Sequence, residues 1–309
     1  MLRNTEDGSF LKSFKNKKDV LAYNVELTDK GHSSLAKLSS QKPIPFNGSK
    51  EFTFTLDSDI DVVAENGKKT HGGLSLEPVT IVPIKVEYGA RLSDEFLYAT
   101  EEEKIDILKA FNEGFAKKLA RGIDLMAMHG INPRTKKASD VIGTNHFDSK
   151  VTQVVKFTES EDADANIEAA VNLIQGAEGV VTGLAMDTEF STALAKVTNG
   201  EMGPKMYPEL AWGADPDSIN GLKSSVNTTV GAGADEAESK DLVIIGDFES
   251  MFKWGYAKQI PMEIIKYGDP DNSGKDLKGY NQIYLRAEAY IGWGILDAKS
   301  FARVTKGEV

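Results

Sequence analysis

Two stretches of the chain carry the oxygen-ligand spacing of a calcium loop. Asp57, Asp59 and Asp61 supply the first, third and fifth positions, but Val62 stands where glycine must turn the chain and Lys68 where a bidentate glutamate is needed. That loop is rejected. Asp269, Asp271, Ser273 and Gly274 match the first, third, fifth and sixth positions better, yet Tyr280 takes the twelfth and no flanking helices are expected. The expectation there is a polar turn. The four histidines, His32, His71, His129 and His146, lie far apart and never at the i, i+4 spacing of a zinc helix, so each reads as a surface or satisfied core residue.

Other reactive constellations are missing too. With no cysteine, disulfides, thiolate metal sites and cysteine nucleophiles are excluded. Neither a GxxxxGK[ST] phosphate loop nor a GxSxG nucleophile turn occurs, and Gly231–Ala232–Gly233–Ala234–Asp235–Glu236 does not lead from a strand into an apolar helix. The carboxylates form no recognisable acid–base pair and read as a solvated acidic surface. No enzymatic activity, cofactor or metal is expected.

The chain has 309 residues, 40% apolar and 27% charged, enough for a sizeable core. A net charge of -11 argues against a dedicated nucleic-acid binder, although Lys12, Lys15, Lys17 and Lys18 make a local basic run. The first residues lack the apolar run of a secretory signal, and no eighteen-residue apolar stretch follows, so no membrane partner is expected.

The elements are unusual in kind. Residues 1–50 read as an extended arm with one short helix. Glu51 to Leu56 alternates as a strand should, Asp57 to Gly73 is polar, and Val79 to Leu92 alternates again, which predicts a long two-stranded hairpin with its tip at Ala64–Gly73. Such a ribbon is marginal alone and needs a partner surface. Ser93–Asp94–Glu95 and Thr100–Glu103 then cap a long helix whose stripe is Ile105, Leu108, Phe111, Phe115, Leu119, Ile123 and Met126, ending at Gly130 and Pro133. Further helices are predicted at about Asp164–Gln175 and after Asp187. Loops and short strands are expected between Gly200 and Lys240, then strands at Leu242–Ile245, Phe252–Tyr256 and Met262–Lys266. Last comes a long alternating strand from Ile283 to Ile295. These parts look made for contacts with neighbours.

In order and spacing they resemble the phage capsid family, the major capsid proteins of tailed bacteriophages with the HK97-like fold. The residues that carry the resemblance are AENGKK (Ala64 to Lys69), PVTIVPIKVEYGARLSDEFL (Pro78 to Leu97), Asp187–Phe190, IIGDFESMFKWGY (Ile244 to Tyr256) and YLRAEAYIGWGILDAKSFARVT (Tyr284 to Thr305). The resemblance implies an α+β capsid fold. Its expected parts are an N-terminal arm (1–50), an extended loop (51–92), a peripheral domain with a spine helix (93–180), an axial domain (181–279) and a terminal strand returning to the peripheral domain (280–309). It implies a virion shell subunit that joins copies of itself in pentamers and hexamers around packaged DNA, held weakly and non-specifically. Assembly would take place in the host cytoplasm, with scaffolding, portal and decoration proteins as further partners.

Some members of that family join subunits by an isopeptide bond between a loop lysine and an asparagine near the terminal strand, helped by a glutamate. The matching residues here are Lys68 or Lys69, Asn281 and Glu288, although Lys pairs at a hairpin tip usually serve solvation and Glu288 also suits an ion pair with Arg286 or a neighbour's cation. An encapsulin shell of the same fold, or a metabolic α/β enzyme with a site built from distant residues, is the alternative.

Overall fold

The computed structural model of the chain describes residues 32–56, 58–157, 163–200, 203–233 and 241–306. Its backbone is organised around helix α2, Glu101–His129, which follows a short helix α1 at Ser34–Leu38. Thr100 starts α2 with a capping box: its hydroxyl accepts the Glu103 N–H while the Glu103 carboxylate accepts the Thr100 N–H. Three glutamates in the first turn complement the helix dipole. Gly130 stops the helix in the left-handed region at φ 66°, where a side chain would also strike the His146 ring. The apolar stripe from Leu108 to Met126 faces the core, while Lys109, Lys117, Lys118 and Arg121 stay exposed; the last two turns are buried nearly all round.

The strands form three sheets. Strands β1 (Ser49–Leu56) and β2 (Leu74–Ile81) form an antiparallel hairpin. Strands β3 (Ile84–Ser93), β9 (Phe252–Ile265) and β10 (Gln282–Ile295) form a second sheet in the order β3-β10-β9. The third is a six-stranded mixed sheet ordered β4-β11-β8-β5-β7-β6, with β4 at Val154–Lys156, β5 at Gly183–Met186, β6 at Ser218–Ile219, β7 at Leu222–Val226, β8 at Asp241–Gly246 and β11 at Phe301–Thr305. One face of that sheet buries Ile244 and Phe301 with Phe147, Phe248 and the α2 stripe; the other buries Val243, Ile245 and Val304 under α4 (Ala163–Gly176) and α5 (Thr188–Leu194). Helix α3, Phe147–Lys150, lies between α2 and the sheet end, where the Phe147 ring meets Phe301 edge-on at 5.1 Å.

Four details depart from the sequence expectations. The alternation from Val79 to Leu92 is two strands: the chain breaks at Val82–Pro83, where proline cannot donate to a ladder, and β3 leaves the ribbon to pair with β10 from Gln282↔Ser93 to Ile291↔Ile84. The expected strands Phe252–Tyr256 and Met262–Lys266 are joined in a single strand, β9, which ends at Ile265 and crosses the intervening residues with two register shifts against β10. Within residues 1–50, expected as an arm with one short helix, that helix is α1, and residues 33–39 pack into the core rather than extending from it. Leu35 and Leu38 are fully buried, and the Lys42 carbonyl passes so close to Gly255 that any side chain there would collide with it. The remainder of the expected arm, 1–31, lies outside the described residues. Finally, the expected segment boundaries cross the sheets, since β10 and β11 of the terminal segment sit in different ones.

Candidate functional site

The hairpin presents the largest chemical anomaly of the surface. Register pairs Phe52 with Pro78, Phe54 with Leu76 and Leu56 with Leu74, and the period of two sets these positions on one face. The opposite face carries Glu51, Val79 and Ile81; Ile81 is buried against Gly292 and Gly294 of β10, and Glu51 accepts from Lys253 at 2.7 Å. The inner face is thus satisfied within the subunit. The outer one leaves Phe52, Phe54, Leu74 and Leu76 exposed, Phe54 by 67%, and Ile60 and Val62 beyond them are almost bare. A contiguous apolar patch of this kind marks an interaction surface.

The four residues expected to take part in a crosslink are dispersed. Lys68 and Lys69 are exposed in the segment between β1 and β2. Asn281 is exposed, in the left-handed conformation at φ 53°, closing a short 3-10 turn at Lys278–Tyr280 just before β10; its carbonyl accepts from the Asp94 N–H. Glu288 lies inside β10, directly opposite Glu87, and pairs at 2.7 Å with Lys85, whose pKa this hydrogen bond raises. Arg286, the alternative partner, instead donates to the Pro270 carbonyl. No hydrogen bond or ion pair joins any two of the four among the described residues.

Three other clusters gather charge. The Asp269–Lys275 turn resembles a calcium loop because it wraps a cation, but that cation is the Arg91 guanidinium from β3. Its Nη2 donates to Asp269 at 2.7 Å, Asp271 at 2.5 Å, Ser273 at 2.6 Å and the Lys275 carbonyl at 2.8 Å, which holds the Asp271 carboxyl well below the usual range. On α2, fully buried Asp124 accepts from the Ser33 hydroxyl and the Ser34 and Leu35 N–H groups, capping α1, and from the Thr229 hydroxyl at 2.9 Å after β7. Burial outweighs these bonds and pushes its pKa up to about 6. Below it, ligand-type atoms of His129, Asp148 and Asp241 converge within 4.8 Å. Arg303 fills that convergence, its Nη1 lying 3.0 Å from Asp241 and 3.3 Å from Asp148, so the arrangement fits a guanidinium rather than a metal ion.

The family model described as the phage capsid family matches residues 30–306. The chain belongs to that family. A structure from Mycobacterium phage Ogopogo is 34% identical with a TM-score of 0.75, covering 90% of this chain and 92% of its own. One from Gordonia phage Cozz, 21% identical, gives a TM-score of 0.71 over 100% and 99% of the two chains. A capsid of an empty GTA particle, 13% identical, shares the fold alone, at 0.62 over 89% and 90%. No curated protein matches at the sequence level. This capsid protein is a major capsid subunit of the α+β, HK97-like type, a component of the virion shell that associates with further copies of itself, and its relatives point to a structural rather than an enzymatic role. No helix among the described residues is long and apolar enough to cross a membrane. The strand that carries the exposed apolar row was legible as the alternation from Glu51 to Leu56. The Asp124 and His129 anchors were not, because single polar residues within a helix give no sign of which distant segment covers them.

Proposed function

We propose that the subunit assembles through pentamers and hexamers into a closed icosahedral head around double-stranded DNA, with the outer face of its hairpin lying on adjacent copies. The observation that carries this reading is the apolar row Phe52, Phe54, Leu74 and Leu76, which no described residue of the subunit covers, although the other hairpin face is anchored through Ile81 and Glu51. In this reading α2 is the spine of a peripheral domain and the six-stranded sheet is the body of the axial domain. The acidic chain contacts the packaged DNA weakly and non-specifically, as a container must if it is to release its contents. Scaffolding, portal and decoration proteins are its further partners, and assembly takes place in the host cytoplasm.

Substituting Phe54→Glu together with Leu76→Glu tests this, since both side chains are exposed and their loss leaves the core untouched. The variant should keep the wild-type circular dichroism yet sediment as small species. Full-size shells from this variant would refute the role of the hairpin face.

An isopeptide crosslink between subunits is the accompanying proposal for Lys68, Lys69, Asn281 and Glu288. The lysine nitrogen would attack the Asn281 amide carbon with release of ammonia, and Glu288 would have to exchange Lys85 for the incoming amine to carry the proton. Particles boiled in detergent decide it. A ladder on a denaturing gel that disappears in Asn281→Ala supports the bond, and a clean monomer band dismisses it.

A further inference from the structure

The turn after β7, Asn227–Val230, is gripped from α2 by two buried titratable groups, of which His129 holds it in a way that constrains its own protonation. The ring lies almost wholly buried, with Nδ1 2.8 Å from Asp148 Oδ2 and Nε2 2.9 Å from the Thr229 carbonyl oxygen. A carbonyl oxygen only accepts, and so does an ionised carboxylate. A neutral imidazole has a single N–H, so one of the two contacts would set lone pair against lone pair; only the imidazolium donates to both. Asp148 is kept ionised by the Arg303 guanidinium, 3.3 Å away, as well as by the ring.

We propose that His129 is a buried imidazolium that clamps the six-stranded sheet to the end of α2 through Thr229, and that the clamp loosens as pH rises and the ring loses its second proton. The device joins parts far apart in sequence: Asp148 lies on α3, Asp241 on β8 and Arg303 on β11, and all bear on the end of α2. Burial by itself would weaken the ring's hold on the proton, but the Asp148 contact, the Thr229 carbonyl and the Asp241 charge reverse this and raise its pKa above the ordinary value.

The remaining charged groups set the direction. His146, whose ring packs on Gly130 and whose Nδ1 has no partner, is pushed down by burial and stays neutral. Asp241 is pushed up to about 7 by burial and the neighbouring Asp148, and Asp124, the other grip on Thr229, to about 6. A histidine whose folded pKa is raised contributes stability that is complete below its unfolded value and is lost as pH climbs through the folded one. The clamp is therefore complete below the ordinary histidine value and opens as pH climbs through the raised folded one. Thr229 also donates to Asp124 and Thr228 accepts from Arg121, so opening removes one of the contacts from α2 to this turn and loosens it without releasing it. In a shell subunit this is a hinge set by pH.

The test is a titration of wild-type protein labelled with 15N-histidine, sedimented and followed by magic-angle-spinning NMR from pH 6 to 9, beside amide exchange across 227–230. One of the four rings should show doubly protonated nitrogens at pH 7.5. Protection of the turn, corrected for intrinsic exchange, should fall about tenfold as that ring titrates, the scale of one buried hydrogen bond. In His129→Gln, which does not titrate and whose single nitrogen cannot stand at both ring-nitrogen sites, the pH dependence of protection should vanish. Four neutral rings at pH 7.5, or protection that follows intrinsic exchange alone, would overturn the proposal even if the variant fails to fold. Shell formation is scored separately by sedimentation, so a failed clamp and a failed assembly are told apart.

Discussion

Replacing Asp124 by asparagine should make this protein relatively more stable as pH rises. Asp124 is fully buried, and its pKa stands at about 6 in the folded chain against an ordinary 3.8. The folded state thus holds the proton more tightly than the unfolded chain. Stability falls as pH climbs from the unfolded value to the folded one, so at neutral pH the ionised group costs about 3 kcal/mol relative to its protonated form. Part of that cost already falls below pH 5. Integrating the rest leaves roughly 1.5 kcal/mol lost between pH 5 and pH 8. Asparagine has the same shape but does not titrate. It keeps one acceptor oxygen and turns its NH2 toward one set of donors, leaving the Leu35 N–H or the Ser34 N–H without its partner. That loss is independent of pH, at about 1–3 kcal/mol. The variant therefore starts below wild type at pH 5 and closes on it by roughly 1.5 kcal/mol at pH 8. Urea unfolding at fixed protein concentration, followed at both pH values, reads the difference directly. Parallel pH dependences would refute the claim that burial dominates at this site. In Asp124→Ala both α1 N–H groups and two hydroxyls lose their acceptor, so about 3 kcal/mol or more should vanish at either pH.

Thr100→Ala removes the capping box of α2 and should cost about 1 kcal/mol without altering assembly, as measured by thermal unfolding of otherwise intact shells. Arg91→Ala withdraws the cation around which Asp269, Asp271, Ser273 and the Lys275 carbonyl are arranged, so limited proteolysis should cut the 269–276 turn much faster than in wild type. An unchanged cutting rate would mean the turn holds itself.

The long helix could be read in advance because its signals are local: the Thr100–Glu103 box, the stripe from Leu108 to Met126 and the Gly130 stop all lie within one segment. The split of the hairpin's return arm could not. Val79–Ile81 and Ile84–Leu92 share the same alternation, and what separates them is the partner each strand finds, β1 for one and β10, nearly two hundred residues later, for the other. Ser33–Leu38 gave the same difficulty: its short SSLAKL pattern reads only as the one short helix of an arm, and its burial rests on Asp124, a carboxylate about ninety residues away. The Asp269–Gly274 turn was legible in outline as a polar turn, but its cation comes from Arg91 on another strand. The outer hairpin face was legible for the opposite reason. Phe52 and Phe54 alternate with Thr53 so clearly that an apolar strand face was expected, and the structure leaves that face exposed.

Cryo-electron microscopy of the purified, expressed protein tests the central claim most directly. The account predicts closed shells with fivefold and sixfold clusters of subunits, in which density from a neighbouring copy covers Phe52, Phe54, Leu74 and Leu76. Monomers that stay dispersed at high concentration, or shells in which that hairpin face remains open to solvent, would contradict it.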